Sequence, residues 1–129
     1  IARRDLVQRV NAYNAGAMPV TAMAAAHAML LEPDFVAARK QRNAQRRDDV
    51  KRFFDQHGFT YTPSVSNNLM VDARMPTQQV IDGLKQRGVY VGRPWPVWPT
   101  HVRVSIGTTA EMERFQTALL EVASPVGRG

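Results

Sequence analysis

The sequence predicts an α+β unit on three observations. Apolar residues recur at helical spacing in several stretches, one stretch near the C-terminus alternates strictly between apolar and polar, and Gly and Pro stand where helices should stop and start. At 129 residues the chain is about one domain long, and a hydrophobic content of 44% is that of an ordinary globular protein. No internal repeat and no low-complexity linker interrupts it. The elements are expected in the order helix, helix, strand, helix, strand, strand, helix.

The first helix is Thr21 to Leu31, rich in Ala, the best helix former, with side chains small enough for close packing against a neighbour. A buried helix is expected there. Pro33-Asp34 reads as a break and an N-cap opening a long polar helix through about His57, with Gly58 as its stop. Between Ala37 and Asp49 the only apolar residues are alanines, so the packed parts should be its ends, at Phe35, Val36, Val50, Phe53 and Phe54. After a turn containing Pro63 and Ser64, Asn67 to Asp72 reads as a short strand. Pro76 at the first helical position, Val80, Ile81 and Leu84 on one face, and Gly88 just past the end define the next helix.

Val89 to Val91 reads as a second strand. His101 to Ile106 then alternates, with Val102, Val104 and Ile106 on one face and His101, Arg103 and Ser105 on the other, as a half-buried strand does. Thr108 with Glu111 three residues later is a capping-box pattern, and Met112, Phe115 and Leu119 give the final helix its apolar face.

Charge is unevenly placed. Of a formal net charge of +6, five units sit between residues 39 and 52, where Arg39, Lys40, Arg42, Arg46, Arg47, Lys51 and Arg52 face only Asp48 and Asp49. That run has no interleaved aromatic and no groove-reading motif, so it reads as a solvated helix face, and neither nucleic acid nor a membrane is expected as a partner. The alternative left open is a stand-alone basic α+β module binding an anionic partner such as nucleic acid. The longest mainly apolar stretch, Val20 to Leu31, is 12 residues, well short of the ~20 that span a bilayer. The pair Arg3-Arg4 is followed by no apolar core and cleavage site, so it reads as a helix or turn surface. The missing initial Met fits a fragment of something longer. A cytoplasmic location is the expectation, with export of a longer parent left open.

Several chemistries lack their residues. With zero cysteines there is neither a disulfide scaffold nor a thiolate zinc site, and His27, His57 and His101 are too far apart in sequence to suggest a metal ligand set. The glycines form neither a phosphate-binding loop, a dinucleotide fingerprint nor a nucleophile elbow. Pro94-Trp95-Pro96-Val97-Trp98-Pro99 contains a Pro-x-x-Pro spacing, but two tryptophans between two strands read as an ordered loop rather than a polyproline ligand. Arg103 is the suggestive residue, because an arginine on the polar face of a strand offers a planar fork matched to a carboxylate or phosphate.

At that residue the sequence resembles a known family. His101-Val102-Arg103-Val104-Ser105-Ile106-Gly107-Thr108, followed by Glu111, Glu113 and Phe115, resembles the Leu-Arg-Ile-Ser-Ile-Gly-Thr segment and following helix of histidinol-phosphate aminotransferases and their aromatic aminotransferase relatives. These are class I/II pyridoxal-phosphate enzymes of fold type I. Gly88-Val89-Tyr90-Val91 is similar to the family's Gly-Ile-x-Val strand. Pro63-Ser64-Val65-Ser66-Asn67 with Leu69-Met70-Val71-Asp72 is similar to its Pro-Ser-x-x-Asn-Phe strand, and Gly16 to Ala28 to the lead into its Ala-rich interdomain helix. The pieces fall in order over most of the chain.

The resemblance implies the C-terminal part of such an enzyme, its small domain: a small, mainly antiparallel sheet covered by helices. Residues 1–32 would be a linking segment and interdomain helix, 33–123 the small α/β domain, and 124–129 a frayed tail. It implies amino transfer between an amino acid, histidinol-phosphate-like or aromatic, and a 2-oxo acid, with pyridoxal 5'-phosphate as the parent's cofactor and a missing large domain and a homodimer as partners. By the same resemblance Arg103 clamps the substrate α-carboxylate, Asn67 supports the small-domain wall of the site, and Arg93 is placed to reach a substrate side chain or phosphate. Asn68 stands where the family usually has Phe, and Gly92-Arg93 puts the loop arginine one position late without the usual following Asp, which leaves the side-chain specificity open. Of Lys40, Lys51 and Lys85, none sits in the family's Ser-x-Lys context, so the chain alone is expected to be catalytically silent, with no catalytic, cofactor-binding or metal residue of its own.

Overall fold

Two helices in this chain end by the same device. In the long helix α3 (Phe35–Gln56), Gly58 takes φ +69°, and the N–H groups of Phe59 and Gly58 return to the carbonyls of Phe54 (2.9 Å) and Asp55 (3.3 Å). In helix α4 (Thr77–Gln86), Gly88 takes φ +71°, and Val89 and Gly88 bond Leu84 O (3.0 Å) and Lys85 O (2.9 Å). Both are Schellman motifs, whose left-handed residue costs least as glycine.

The computed structural model describes residues 3–13, 16 and 18–123, so the expected frayed tail, Ser124 to Gly129, lies outside the described residues. The chain divides into two units, Ile1–Ala38 and Arg39–Gly129, with the boundary inside α3.

The first unit holds α1 (Arg4–Asn11), which begins at the arginine pair, and α2 (Val20–Leu31). The Ala-rich segment is helical as expected but is not buried: Val20, Leu30 and Leu31 are all at least two-thirds exposed. Helix propensity is local, whereas burial needs a second surface, and the apolar residues of α1 (Leu6, Val7 and Val10) are themselves exposed. Val36, at the start of α3, is exposed as well.

The second unit carries β1 (Thr60–Tyr61), β2 (Asn68–Asp72), α4, β3 (His101–Ser105) and α5 (Thr109–Ala123) after the remainder of α3. The strands form one antiparallel sheet in the order β1-β2-β3. Leu69 and Val71 on β2 and Val102 and Val104 on β3 turn to one face, where they join Val50, Phe53 and Phe54 of α3, Val80 and Leu84 of α4, and Phe115 and Leu119 of α5 in a single core. The fold is therefore α+β, a small antiparallel sheet covered by helices.

The capping box forms: Glu111 Oε2 accepts from the Thr108 N–H (2.7 Å) and hydroxyl (2.8 Å), while the Glu111 N–H donates to Thr108 Oγ1 (3.3 Å). Helix α4 starts one residue later than the sequence suggests, with Pro76 as the N-cap.

The expected strand at Val89 to Val91 is irregular. Val89 and Val91 do pack against the core, but the only backbone bond joining the segment to β3 is from Gly92 N–H to Arg103 O, at 3.0 Å. Burial alone produced the sequence signal, and a ladder needs repeated bonds.

The Trp loop is ordered. Trp95 and Trp98 pair across a tight turn, closed by Trp98 N–H to Trp95 O at 2.9 Å. Thr77, buried at the start of α4, then fastens the loop, with its N–H (2.8 Å) and its hydroxyl (2.7 Å) both on Pro99 O. Thr77→Val keeps the shape and removes only the hydroxyl, so the chain should lose about 1 kcal/mol of stability. A urea midpoint equal to that of the unsubstituted chain would show that other contacts hold the loop.

Candidate functional site

Strand β3 sorts its side chains by alternation, with Val102 and Val104 buried in the core and Arg103 and Ser105 exposed on the opposite face. Register with β2 sets Met70 opposite Arg103, Asn68 opposite Ser105 and Asp72 opposite His101, so these six share the outer face. Pairing with β2 fixes the Arg103 backbone along one edge, and the Gly92 N–H fixes its carbonyl on the other.

Gly92 is required for that approach. A Cβ at position 92 would lie 2.9 Å from Arg103 Cβ, 3.0 Å from its Nε and 3.2 Å from its backbone oxygen, which leaves no room for a side chain. Between this segment, β3 and the first half of α5 lies an open groove of about 670 Å³, bordered among others by Tyr90, Gly92, Arg103, Ser105, Glu111 and Arg114.

The charges around the groove are committed except one. Glu111 spends its carboxylate on the cap, and the Thr108 N–H, then the Thr108 hydroxyl, hold its pKa below the usual glutamate value. Arg114 donates to Arg87 O at 3.1 Å. No carboxylate or carbonyl among the described residues pairs with the guanidinium of Arg103, a donor-only fork fixed at its base by the sheet. What the groove offers chemically is anion recognition at one planar cation.

The other two residues singled out in the sequence are placed differently. Asn67 lies just before β2, its carbonyl accepting from Ile106 N–H (2.7 Å) and its Oδ1 from Asn68 Nδ2 (3.2 Å). Asn67 does not border the groove. Arg93 stacks its guanidinium 4.6 Å from the centre of the Trp95 ring and does not border the groove.

Asn68, marked in the sequence only as standing where the family usually has Phe, receives the Ser105 hydroxyl at 2.7 Å on the Arg103 face. Cross-strand register is the only signal that joins those two residues, and a single sequence does not print it.

The basic run is only partly the solvated face it resembles. Arg46 and Arg47 are half-buried: Arg46 donates to Gly107 O (3.3 Å), and Arg47 to Val65 O (2.9 Å) and Ser66 O (3.3 Å). They tie the loops that flank β2 and β3 to α3. Lys51 pairs with Asp48, and Arg52 with Asp49. Among the described residues no three His, Asp or Glu converge on a possible metal position, and no helix is long and apolar enough to cross a membrane.

A fork-bearing arginine stands on the outer face of a small antiparallel sheet covered by helices. The chain belongs to the aminotransferase class I and II family, whose model matches residues 2–119. It is 37% identical over 121 residues to histidinol-phosphate aminotransferase 2 of Pasteurella multocida, covering 92% of this chain and 32% of that enzyme. It is also 35% identical over 103 residues to histidinol-phosphate aminotransferase 1 of Mannheimia succiniciproducens, covering 78% of this chain and 28% of that enzyme. The chain thus spans about a third of the length of the curated relatives it matches.

Two solved structures share the fold at lower identity. One is described as a histidinol-phosphate aminotransferase from Erwinia carotovora atroseptica (TM-score 0.83, 23% identity, 94% of this chain and 35% of that one). The other is a decarboxylase from Sulfurospirillum multivorans (TM-score 0.73, 18% identity, 95% and 38%). The fold alone therefore does not choose between transfer and decarboxylation.

Proposed function

We propose that this chain is the C-terminal, small-domain part of a pyridoxal-phosphate-dependent aminotransferase that moves an amino group between an amino acid and a 2-oxo acid, and that Arg103 binds the substrate α-carboxylate. The observation that carries the reading is the Arg103 guanidinium, unpaired among the described residues and held at the groove by a paired strand and the Gly92 N–H. A carboxylate is the partner whose geometry matches that fork, and a backbone fixed on both edges keeps it aimed before the ligand arrives.

The residues here do not fit the covalent anchoring of the cofactor. Lys40 and Lys85 are exposed on α3 and α4, Lys51 pairs with Asp48, and none of the three borders the groove. The amine that would hold pyridoxal phosphate is assigned to the large domain of the full-length protein, which would also close the groove, with a homodimer as the working unit. Asn67 supports the wall beside Arg103, and Arg93, stacked on Trp95, meets the substrate's distal end in the assembled enzyme.

The test is amino transfer by the full-length protein from a panel of L-amino acids, histidinol phosphate and the aromatic amino acids included, to a 2-oxo acid. Turnover with at least one donor is expected, and the absence of transfer from every donor would sink the reading.

A further inference from the structure

Arg46 and Arg47 are neighbours on α3, and each takes a different strand of the ladder that carries Arg103. Asn68 pairs with Ser105, and the next rung is closed by Ile106 N–H to Asn67 O at 2.7 Å. One step further the same register sets Ser66 opposite Gly107. At that rung no sheet bond is made among the described residues, and the arginines take over. Arg46 Nη1 donates to Gly107 O at 3.3 Å, and Arg47 Nη1 to Val65 O at 2.9 Å and Ser66 O at 3.3 Å. Gly107 is also hemmed in on the side of α5, where a Cβ would lie 2.6 Å from Glu111 Oε2. Lys51 and Arg52, later in the same basic run, pair with acids on their own helix instead. For stability alone, half-buried guanidiniums are a costly choice, and burial leaves the Nε of Arg47 without a hydrogen-bond partner.

We propose that Arg46 and Arg47 are positioning residues for substrate binding: they pin both strands of the ladder to α3 at one rung, and so set where the Arg103 guanidinium stands in the assembled site. This rests on the reading of Arg103 as the α-carboxylate site. Gly107 is four residues along β3 from Arg103, about 13 Å of strand. The ladder between them fixes Arg103 relative to β2, but not relative to the helices. Toward α3 the two strands otherwise offer Leu69 and Val104, which join Val50, Phe53 and Phe54 in the core. Apolar burial is non-directional and tolerates a small slide. A hydrogen bond from a charged group fixes both distance and direction. Binding a carboxylate at a planar fork is sensitive on that scale, because a misplacement of ~1 Å is enough to lose most of a well-aligned interaction.

The full-length protein tests this with Arg46→Met and Arg47→Met, which keep an apolar stem and remove the donors. Arg46→Lys and Arg47→Lys are the rescue variants, since each clamp uses a single nitrogen that an ammonium can supply. Both kcat and KM are measured with the two fastest donors of the L-amino acid panel. Each methionine substitution should raise KM about tenfold, by the same factor for both donors because they share the α-carboxylate, with kcat within about twofold. The lysine substitutions should bring KM back to within about threefold of the parent value. Combined with Arg103→Ala, the methionine substitutions should raise KM no further, because the group they position is gone. An unchanged KM in both methionine variants overturns the proposal. So does the same tenfold rise in the Arg103→Ala background, which would make the pair supports of the fold only. Where a methionine variant fails to fold, Arg46→Gln or Arg47→Gln is read by the same criteria. Arg103→Ala alone separates the two readings: if it leaves every KM unchanged, the carboxylate-site reading has failed and the clamp's role with it. If it raises KM while the methionine substitutions do not, only the clamp has failed.

Discussion

Arg103→Ala in the full-length enzyme is expected to raise KM for the amino-acid substrate about a hundredfold, on the order of 3 kcal/mol, because under the proposed role of Arg103 two charge-assisted hydrogen bonds and a unit charge leave the carboxylate site together. Folding should hardly change. The side chain is exposed and has no intramolecular partner among the described residues, and surface substitutions of that kind usually stay within about 0.5 kcal/mol. Arg103→Lys should fall between, since an ammonium keeps the charge but not the planar fork. Steady-state kinetics paired with thermal unfolding separates the two effects. A KM within twofold of the parent value for Arg103→Ala would move the carboxylate site elsewhere.

The largest effect on stability is expected at Phe54, which is fully buried and meets the rings of Phe53, Phe59, Tyr61 and Phe115 at centroid distances of 5.8, 6.1, 5.5 and 6.4 Å. Those contacts join α3, β1 and α5, so truncation removes transfer energy and opens a cavity where three elements meet. Phe54→Ala should cost about 3–5 kcal/mol, enough to unfold a domain of ordinary stability. Denaturant unfolding monitored by circular dichroism reads it directly, and a loss under 1 kcal/mol would mean that the core collapses around the gap.

What was legible in the sequence follows from how local each signal is. The stops at Gly58 and Gly88 and the Thr108–Glu111 box are decided within a few residues, and the structure has all three. Strand β3 was legible because one buried face enforces alternation over five residues. Two-residue β1 has no period to detect. Val89 to Val91 carries the burial of a strand without its ladder, and α2 carries the composition of a core helix without a surface in its own unit to cover it. In the site, Arg103 stood out through its own chemistry, while Asn68 and Ser105 gained meaning only when register set them opposite each other. Arg46 and Arg47 looked like solvent-facing charge because their acceptors are carbonyls 18 to 61 residues away, which composition does not register.

The contact between Gly92 and Arg103 bears on how readily this gene could be silenced. The added methyl of a Gly92→Ala allele would meet the arginine's own stem and backbone oxygen, so a single missense change eleven residues from the cation displaces it without altering its identity. Under the proposed role of Arg103, variants screened for lost function should turn up at both codons, and a survey that watches only charged positions would miss Gly92.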